Sequence, residues 1–168
     1  MQLPDAEQLV QQLALALKPR LRPNTALVGI HSGGAWVAQK VHQHLGGKLP
    51  LGSLDISFYR DDFNRIGLHP PVAPSDIPFE VEGAHIILID DVLYTGRTVR
   101  AAMNELYDYG RPAAIELAVL IDRGGHELPI TANVVGAHMT LAEHQTIQVS
   151  LNPDKQLTLS LHERRDAS

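Results

Sequence analysis

No cysteine occurs among the 168 residues, which excludes disulfides and thiolate metal sites. Basic residues are also few: 14 Lys and Arg face 19 Asp and Glu, a formal net charge of −5. That balance disfavours strong nonspecific binding to nucleic acid, which needs a cationic face to displace counterions; only a local basic patch stays open. No apolar run approaches the roughly 18 residues of a membrane span. The first residues carry Asp5 and Glu7 and no basic stretch, so they do not read as a signal peptide. A cytoplasmic protein without membrane contact is expected. Neither a Gly-x-Ser-x-Gly elbow nor a P-loop is present, so serine hydrolase and P-loop chemistry lack support. The nine histidines show no ligand spacing; His42 and His44, two apart on a predicted helix, point in different directions. There is no internal repeat and no low-complexity tract.

What is present fits one α/β domain spanning residues 1–168, with 44% hydrophobic residues to fill a core. Leu9, Leu13 and Leu17 recur at helical spacing, predicting a helix over 5–18 that starts at Pro4-Asp5 and stops at Pro19. Thr25–Ile30 reads as a buried strand. Gly33-Gly34 opens a helix that ends near Leu45-Gly46-Gly47 and contains Trp36, expected in the core or at an interface. Ser53–Tyr59 alternates and reads as a second strand. The stretch 60–80 holds Pro70, Pro71, Pro74 and Pro78 and reads as a long loop, of the kind that is functional or disordered.

His85–Ile89 is a third strand, Thr98–Tyr109 a helix closed by Gly110 and Pro112, and Ala113–Ile121 a fourth strand. Val134-Val135 is a short strand. The runs 146–151 and 156–161 flank a turn at Asn152-Pro153-Asp154-Lys155 and make a C-terminal β-hairpin. Strands alternating with helices imply a mainly parallel central sheet flanked by helices. Ligands of such sheets bind beyond the carboxyl ends of the strands. The loops 31–34, 90–98 and 122–126 should meet there.

The sharpest local signal is Ile86-Ile87-Leu88-Ile89 followed by Asp90-Asp91-Val92-Leu93-Tyr94-Thr95-Gly96-Arg97-Thr98. The acids are expected where the strand leaves the sheet. Two carboxylates there can each accept a hydrogen bond from one hydroxyl of a vicinal diol. Thr-Gly-Arg-Thr then opens a helix whose free N–H groups and positive dipole end suit a phosphate dianion. Thr95 and Thr98 add hydroxyl donors, and Gly96 admits close backbone approach. A diol site beside a phosphate site matches a ribose 5-phosphate.

This stretch is similar to the motif with which type I phosphoribosyltransferases bind phosphoribosyl pyrophosphate (PRPP). With Val99-Arg100-Ala101-Ala102, Leu54–Asp62, Asp76-Ile77-Pro78-Phe79, Ile121–Gly124 and Glu127-Leu128-Pro129-Ile130, it resembles the PyrR family of pyrimidine-operon regulators from about residue 5 to the hairpin. The resemblance implies the type I phosphoribosyltransferase fold and uracil phosphoribosyltransferase activity, converting uracil and PRPP to UMP and pyrophosphate. It also implies Mg2+, held by Asp90 and Asp91 mainly through water and PRPP, and a homodimer or higher homo-oligomer.

In that family Asp90 and Asp91 would hold the ribose hydroxyls. Thr95, Gly96, Arg97 and Thr98 would cradle the 5′-phosphate. His31, Ser32, Gly33 and Gly34 would form the pyrophosphate turn. The loop 59–81 would close over PRPP and bring Arg60 as a cation. In the loop 122–130, backbone groups of Asp122, Arg123 and Gly124 would read the base.

Two departures from the family pattern matter. Many relatives carry an arginine where this chain has Gly33, so a fixed cation beside the leaving group is missing; restoring it should raise turnover if that cation limits the reaction. RNA-binding relatives carry arginines where this chain has His126 and Thr131. Residues 111–168 hold five Lys and Arg against seven Asp and Glu, so affinity for pyr leader RNA is expected to be weak or lost. The main expectation is the enzyme. The alternative is a UMP- or PRPP-sensing regulator that binds pyr mRNA with weak or no catalysis, and a third reading is a quiet nucleotide sensor acting through protein partners.

Overall fold

The computed structural model describes residues 2–56 and 75–164. Helix α1 (Ala6–Leu17) begins at Asp5, whose carboxylate caps the N–H groups of Glu7 and Gln8. It buries Leu9, Val10, Leu13 and Leu17 on one stripe. Pro19 does not end the coil outright: a single 3-10 turn carries the chain through Lys18–Arg20.

Five strands form the sheet: β1 (Thr25–Ile30), β2 (Leu51–Leu54), β3 (His85–Leu93), β4 (Ala114–Asp122) and β5 (Val134–His138). Their order is β2-β1-β3-β4-β5 and every pairing is parallel. Helix α2 (Gly33–His44) follows β1, and α3 (Arg97–Tyr109) follows β3. Strands β6 (Gln145–Leu151) and β7 (Leu157–Glu163) make an antiparallel hairpin. This is the parallel, helix-flanked sheet with C-terminal hairpin expected from the sequence. The second strand, Leu51–Leu54, starts before the expected Ser53, and residues 57–59 of the expected run lie outside the described residues.

The strands alternate between two cores, as a period of two requires. Leu27, Ile87, Ile89 and Leu120 face α1, α2 and the hairpin residues Ile147, Val149 and Leu157. Trp36 packs against this core, partly buried. Ala26, Val28, Ile86, Leu88 and Val119 face α3 through Val99, Ala102 and Leu106. Glu7 ties the hairpin to both helices of the first face, accepting from Leu157 N (2.9 Å) and Lys40 Nζ (2.8 Å).

At the amino ends of the strands, fully buried His85 bridges Thr25 Oγ1 (2.8 Å, from Nδ1) and Glu116 Oε2 (2.5 Å, from Nε2). Glu116 also pairs with Arg20. Burial alone would push the Glu116 carboxyl up, but hydrogen bonds from His85 and Arg20, with their charges, outweigh it and hold it below the ordinary carboxylate value.

Candidate active site

The carboxyl ends of all five strands share one edge, because all run parallel. The acids sit further inside the sheet than expected. Pairing of β3 with β1 ends at Ile89, while pairing with β4 continues to Leu93. Asp90 and Asp91 therefore lie on the last part of a strand that is open on one side and zipped on the other. Asp90 is 3% exposed, and its Oδ1 accepts from Asp91 N (2.8 Å). Asp91 is half-buried, and its Oδ1 accepts from Val92 N (2.8 Å).

The open side of β3 faces the turn 31–34. The His31–Ser32 peptide is cis, His31 N donates to Leu54 O (2.8 Å), and Gly33 and Gly34 are the first residues of α2. The approach is close because neither glycine carries a side chain. A Cβ on Gly33 would stand 2.1 Å from Asp91 Oδ2, and one on Gly34 would stand 2.7 Å from Ile89 O. Only glycines let the turn lie this close to the acids.

Beyond the acids, Gly96 turns the chain into α3 with φ +96°, a left-handed conformation that L side chains resist. The helix begins at Arg97, one residue before the sequence expectation. Arg97 N donates to Thr95 Oγ1 (3.2 Å), so the threonine hydroxyl engages one of the first N–H groups. The N-terminus of α2 thus lies against the Asp90-Asp91 pair, and the strand that carries the acids leads through the Gly96 turn into the N-terminus of α3.

The third loop, after β4, packs on the same edge. Arg123 N donates to Leu93 O (3.1 Å), and Gly124 N to Asp122 Oδ1 (2.9 Å). Both N–H groups are engaged by the protein itself. The Asp122 carboxylate also holds His126 Nε2 (3.0 Å). Arg123 is 9% exposed and reaches toward the hairpin, donating to the carbonyls of Gln145 (2.9 Å) and Ala142 (3.2 Å). Its guanidinium lies 3.9 Å from the centroid of the Tyr94 ring. Burial pushes this guanidinium below its ordinary value; Tyr94 opposes that and Arg164 adds to it. Arg123 is thus the bolt between this loop and the hairpin.

The sequence expectation that loops 31–34, 90–98 and 122–126 converge is met. Arg60, with residues 59–74 of the predicted closing loop, lies outside the described residues. The stem of that stretch leaves the same edge: Asp55 N donates to Ser75 Oγ (2.9 Å), which donates to Glu105 Oε1 on α3 (2.7 Å), and Ser53 and Asp76 exchange two backbone hydrogen bonds at 2.8 Å. Three participants carried no clear sequence signal: Tyr94 as the platform under Arg123, Glu105 as the stem anchor, and Glu127, whose Oε2 accepts from Arg97 Nη2 (3.1 Å).

Among the described residues no group of three or more His, Asp or Glu side chains is arranged to hold a metal ion. Asp90 and Asp91 offer at most two carboxylates, a donor set that suits Mg2+ only with ligand oxygens and water completing its shell. Among the described residues no helix is long and apolar enough to cross a membrane.

The family model described as "Phosphoribosyl transferase domain" matches residues 2–154. A Pseudomonas fluorescens protein named "Bifunctional protein PyrR" is 53% identical over 163 residues, covering 95% of this chain and 97% of its own length. One of the same name from Pseudomonas putida is 52% identical, covering 89% and 90%. Among solved structures, a hypoxanthine phosphoribosyltransferase from Staphylococcus aureus superposes with TM-score 0.65 at 20% identity, over 84% of this chain and 76% of that one. A purine phosphoribosyltransferase from Pyrococcus horikoshii gives 0.62 at 20% identity, over 79% and 82%. At such identity these two share the fold.

Proposed function

Since the chain belongs to the phosphoribosyl transferase family, and within it to the PyrR proteins, we propose that it transfers the phosphoribosyl group of PRPP to uracil, giving UMP and pyrophosphate. One observation carries this reading: the buried Asp90 and its neighbour Asp91 lie against the N-terminus of α2, with Gly33 against Asp91, on the strand that leads through the left-handed Gly96 into α3.

In this reading the ribose hydroxyls donate to Asp90 and Asp91. The 5′-phosphate sits on the turn Thr95-Gly96-Arg97-Thr98, taking N–H groups from the start of α3. The pyrophosphate lies over Ser32-Gly33-Gly34 at the start of α2, with His31 beside it. Asp90 and Asp91 are the residues that would hold Mg2+, which would supply charge neutralisation for the leaving pyrophosphate. The protein's own work is to align the C1′ carbon with the base and keep water from an oxocarbenium-like transition state. Uracil offers an N3–H donor between two carbonyls. With the N–H groups of Arg123 and Gly124 engaged, and Asp122 O accepting from Met139 N (2.9 Å), the carbonyl oxygens of residues 123–125 are the groups that match N3–H.

Formation of UMP from uracil, PRPP and Mg2+ tests the proposal, and absence of product above background removes the transferase reading. The second reading, regulation through pyr leader RNA, is favoured by the word "bifunctional" in the names of the relatives. Against strong RNA affinity, His126 is drawn inward onto Asp122. A gel shift with pyr leader RNA and UMP at low salt decides it, and no retardation counts against it.

A further inference from the structure

Glu127 has no role in the chemistry above, yet it is joined to the phosphate turn three times. Its Oε2 accepts from Arg97 Nη2 (3.1 Å) and Nε (3.3 Å). Its own N–H donates to Thr95 O (2.9 Å), and Leu128 N donates to the same carbonyl (3.2 Å). Arg97 is the only Lys or Arg between Asp90 and Val99. It is also the first residue of α3, so its side chain starts where an anion at the helix end would sit. Both partners are about half exposed, 48% and 54%. A pair so placed adds little to stability and is readily given up to a stronger anion. A phosphate monoester is such an anion, with more charge and more acceptor oxygens than one carboxylate.

We propose that Glu127 is a positioning residue for the phosphate turn: it holds the Arg97 guanidinium while the turn is empty and yields it when phosphate arrives. The inference rests on reading 95–98 as the 5′-phosphate site. Exchange of partners leaves the Glu127 carboxylate beside a dianion with no cation between them. Repulsion then acts on the limb 122–130 that carries Glu127. Occupancy of the phosphate turn is in this way transmitted to the loop that holds the base.

The test is a double-mutant cycle on the full chain, titrating ribose 5-phosphate by calorimetry at low ionic strength. Glu127→Gln removes the competitor and should bind roughly two- to fivefold tighter than the wild type. In an Arg97→Gln background the same change should bring a smaller gain, that of the relieved repulsion alone. Raising the salt to about 1 M should erase the difference, because both partners are exposed. Glu127→Ala provides a second variant with the same expectation. A merely structural role would shift thermal unfolding and leave the cycle additive. Unchanged or weaker binding in Glu127→Gln overturns the proposal, as does a gain equally large without Arg97, which would mark a general field effect alone. If the wild type binds ribose 5-phosphate and the cycle fails, only the Glu127 role falls. If the wild type binds none, the phosphate-site reading falls with it.

Discussion

The carboxylate of Asp91 occupies the space that any side chain at Gly33 would need. The missing Cβ position lies 2.1 Å from Asp91 Oδ2 and 2.7 Å from its Cγ. The backbone of Gly33 is not left-handed, and the residue opens a helix, so alanine there meets no conformational penalty. What alanine must do is turn Asp91 aside.

This relationship changes what an arginine at residue 33 is expected to do. It brings a cation toward the pyrophosphate, but it also brings a Cβ that displaces Asp91. Comparison of Gly33→Arg with the wild type alone would mix the two effects. Gly33→Ala carries only the steric part and should weaken PRPP binding in calorimetry while leaving thermal unfolding unchanged or slightly raised. Gly33→Arg should then bind PRPP about tenfold tighter than Gly33→Ala, the range of a hydrogen bond to a charged group. Equal affinities of the two variants would show that the turn needs no cation.

Asp90→Asn combined with Asp91→Asn should remove PRPP binding and keep the fold. The amide introduced at position 90 retains an oxygen for the N–H of residue 91, the bond that Asp90 Oδ1 accepts now. The charge is lost, and with it two charge-assisted bonds to the ribose hydroxyls or to metal-bound water. The affinity should fall at least about a hundredfold. Calorimetry checks the affinity and circular dichroism checks the fold; unchanged affinity would mean that the diol is held elsewhere.

Much of the site was legible because its signals are local. Four apolar residues, two acids and a Thr-Gly-Arg-Thr turn fix a strand, its end and a helix start within one stretch, and β3 and α3 lie there. Parallel order followed from the alternation of elements, and it brought three loops to one edge. The length of β3 was not legible, because Asp90 and Asp91 look like loop residues until β4 is seen pairing alongside them. The role of Arg123 was hidden for a similar reason: its acceptors, Ala142 and Gln145, are backbone carbonyls about twenty residues away. Carbonyls have no sequence signature. The approach of Gly33 to Asp91 depends on two strands lying side by side, which no spacing along the chain reports.

Arg123→Lys should loosen the hairpin. The guanidinium serves two carbonyls and lies over the Tyr94 ring, and a lysine ammonium cannot match that planar fork. Loss of one buried hydrogen bond and of the ring contact should cost about 1–3 kcal/mol in urea unfolding. Since the same residue anchors the 122–130 loop, the KM for uracil should rise more than the KM for PRPP. Equal changes in both would place the role of Arg123 in general stability.

The Glu116 carboxyl supplies a pH dependence remote from the site. Burial pushes it up, yet His85 and Arg20 together outweigh burial and hold it below its ordinary value in the folded protein. A carboxyl shifted this way favours the folded state above its unfolded pKa, and that contribution is lost as the pH falls through the lower folded value. Glu116→Gln keeps the shape but removes the charge that the fully buried His85 Nε2 and Arg20 face. At about pH 7 it should destabilise the protein by about 1–3 kcal/mol, the cost of weakening a buried polar contact. As the pH falls through the lowered folded value, the wild-type carboxyl is neutralised too, and the two proteins should converge in stability. Urea unfolding of both across that range makes the comparison. A gap that stays constant down to the acid end would show that the Glu116 charge contributes nothing, and that only its shape matters to the cluster.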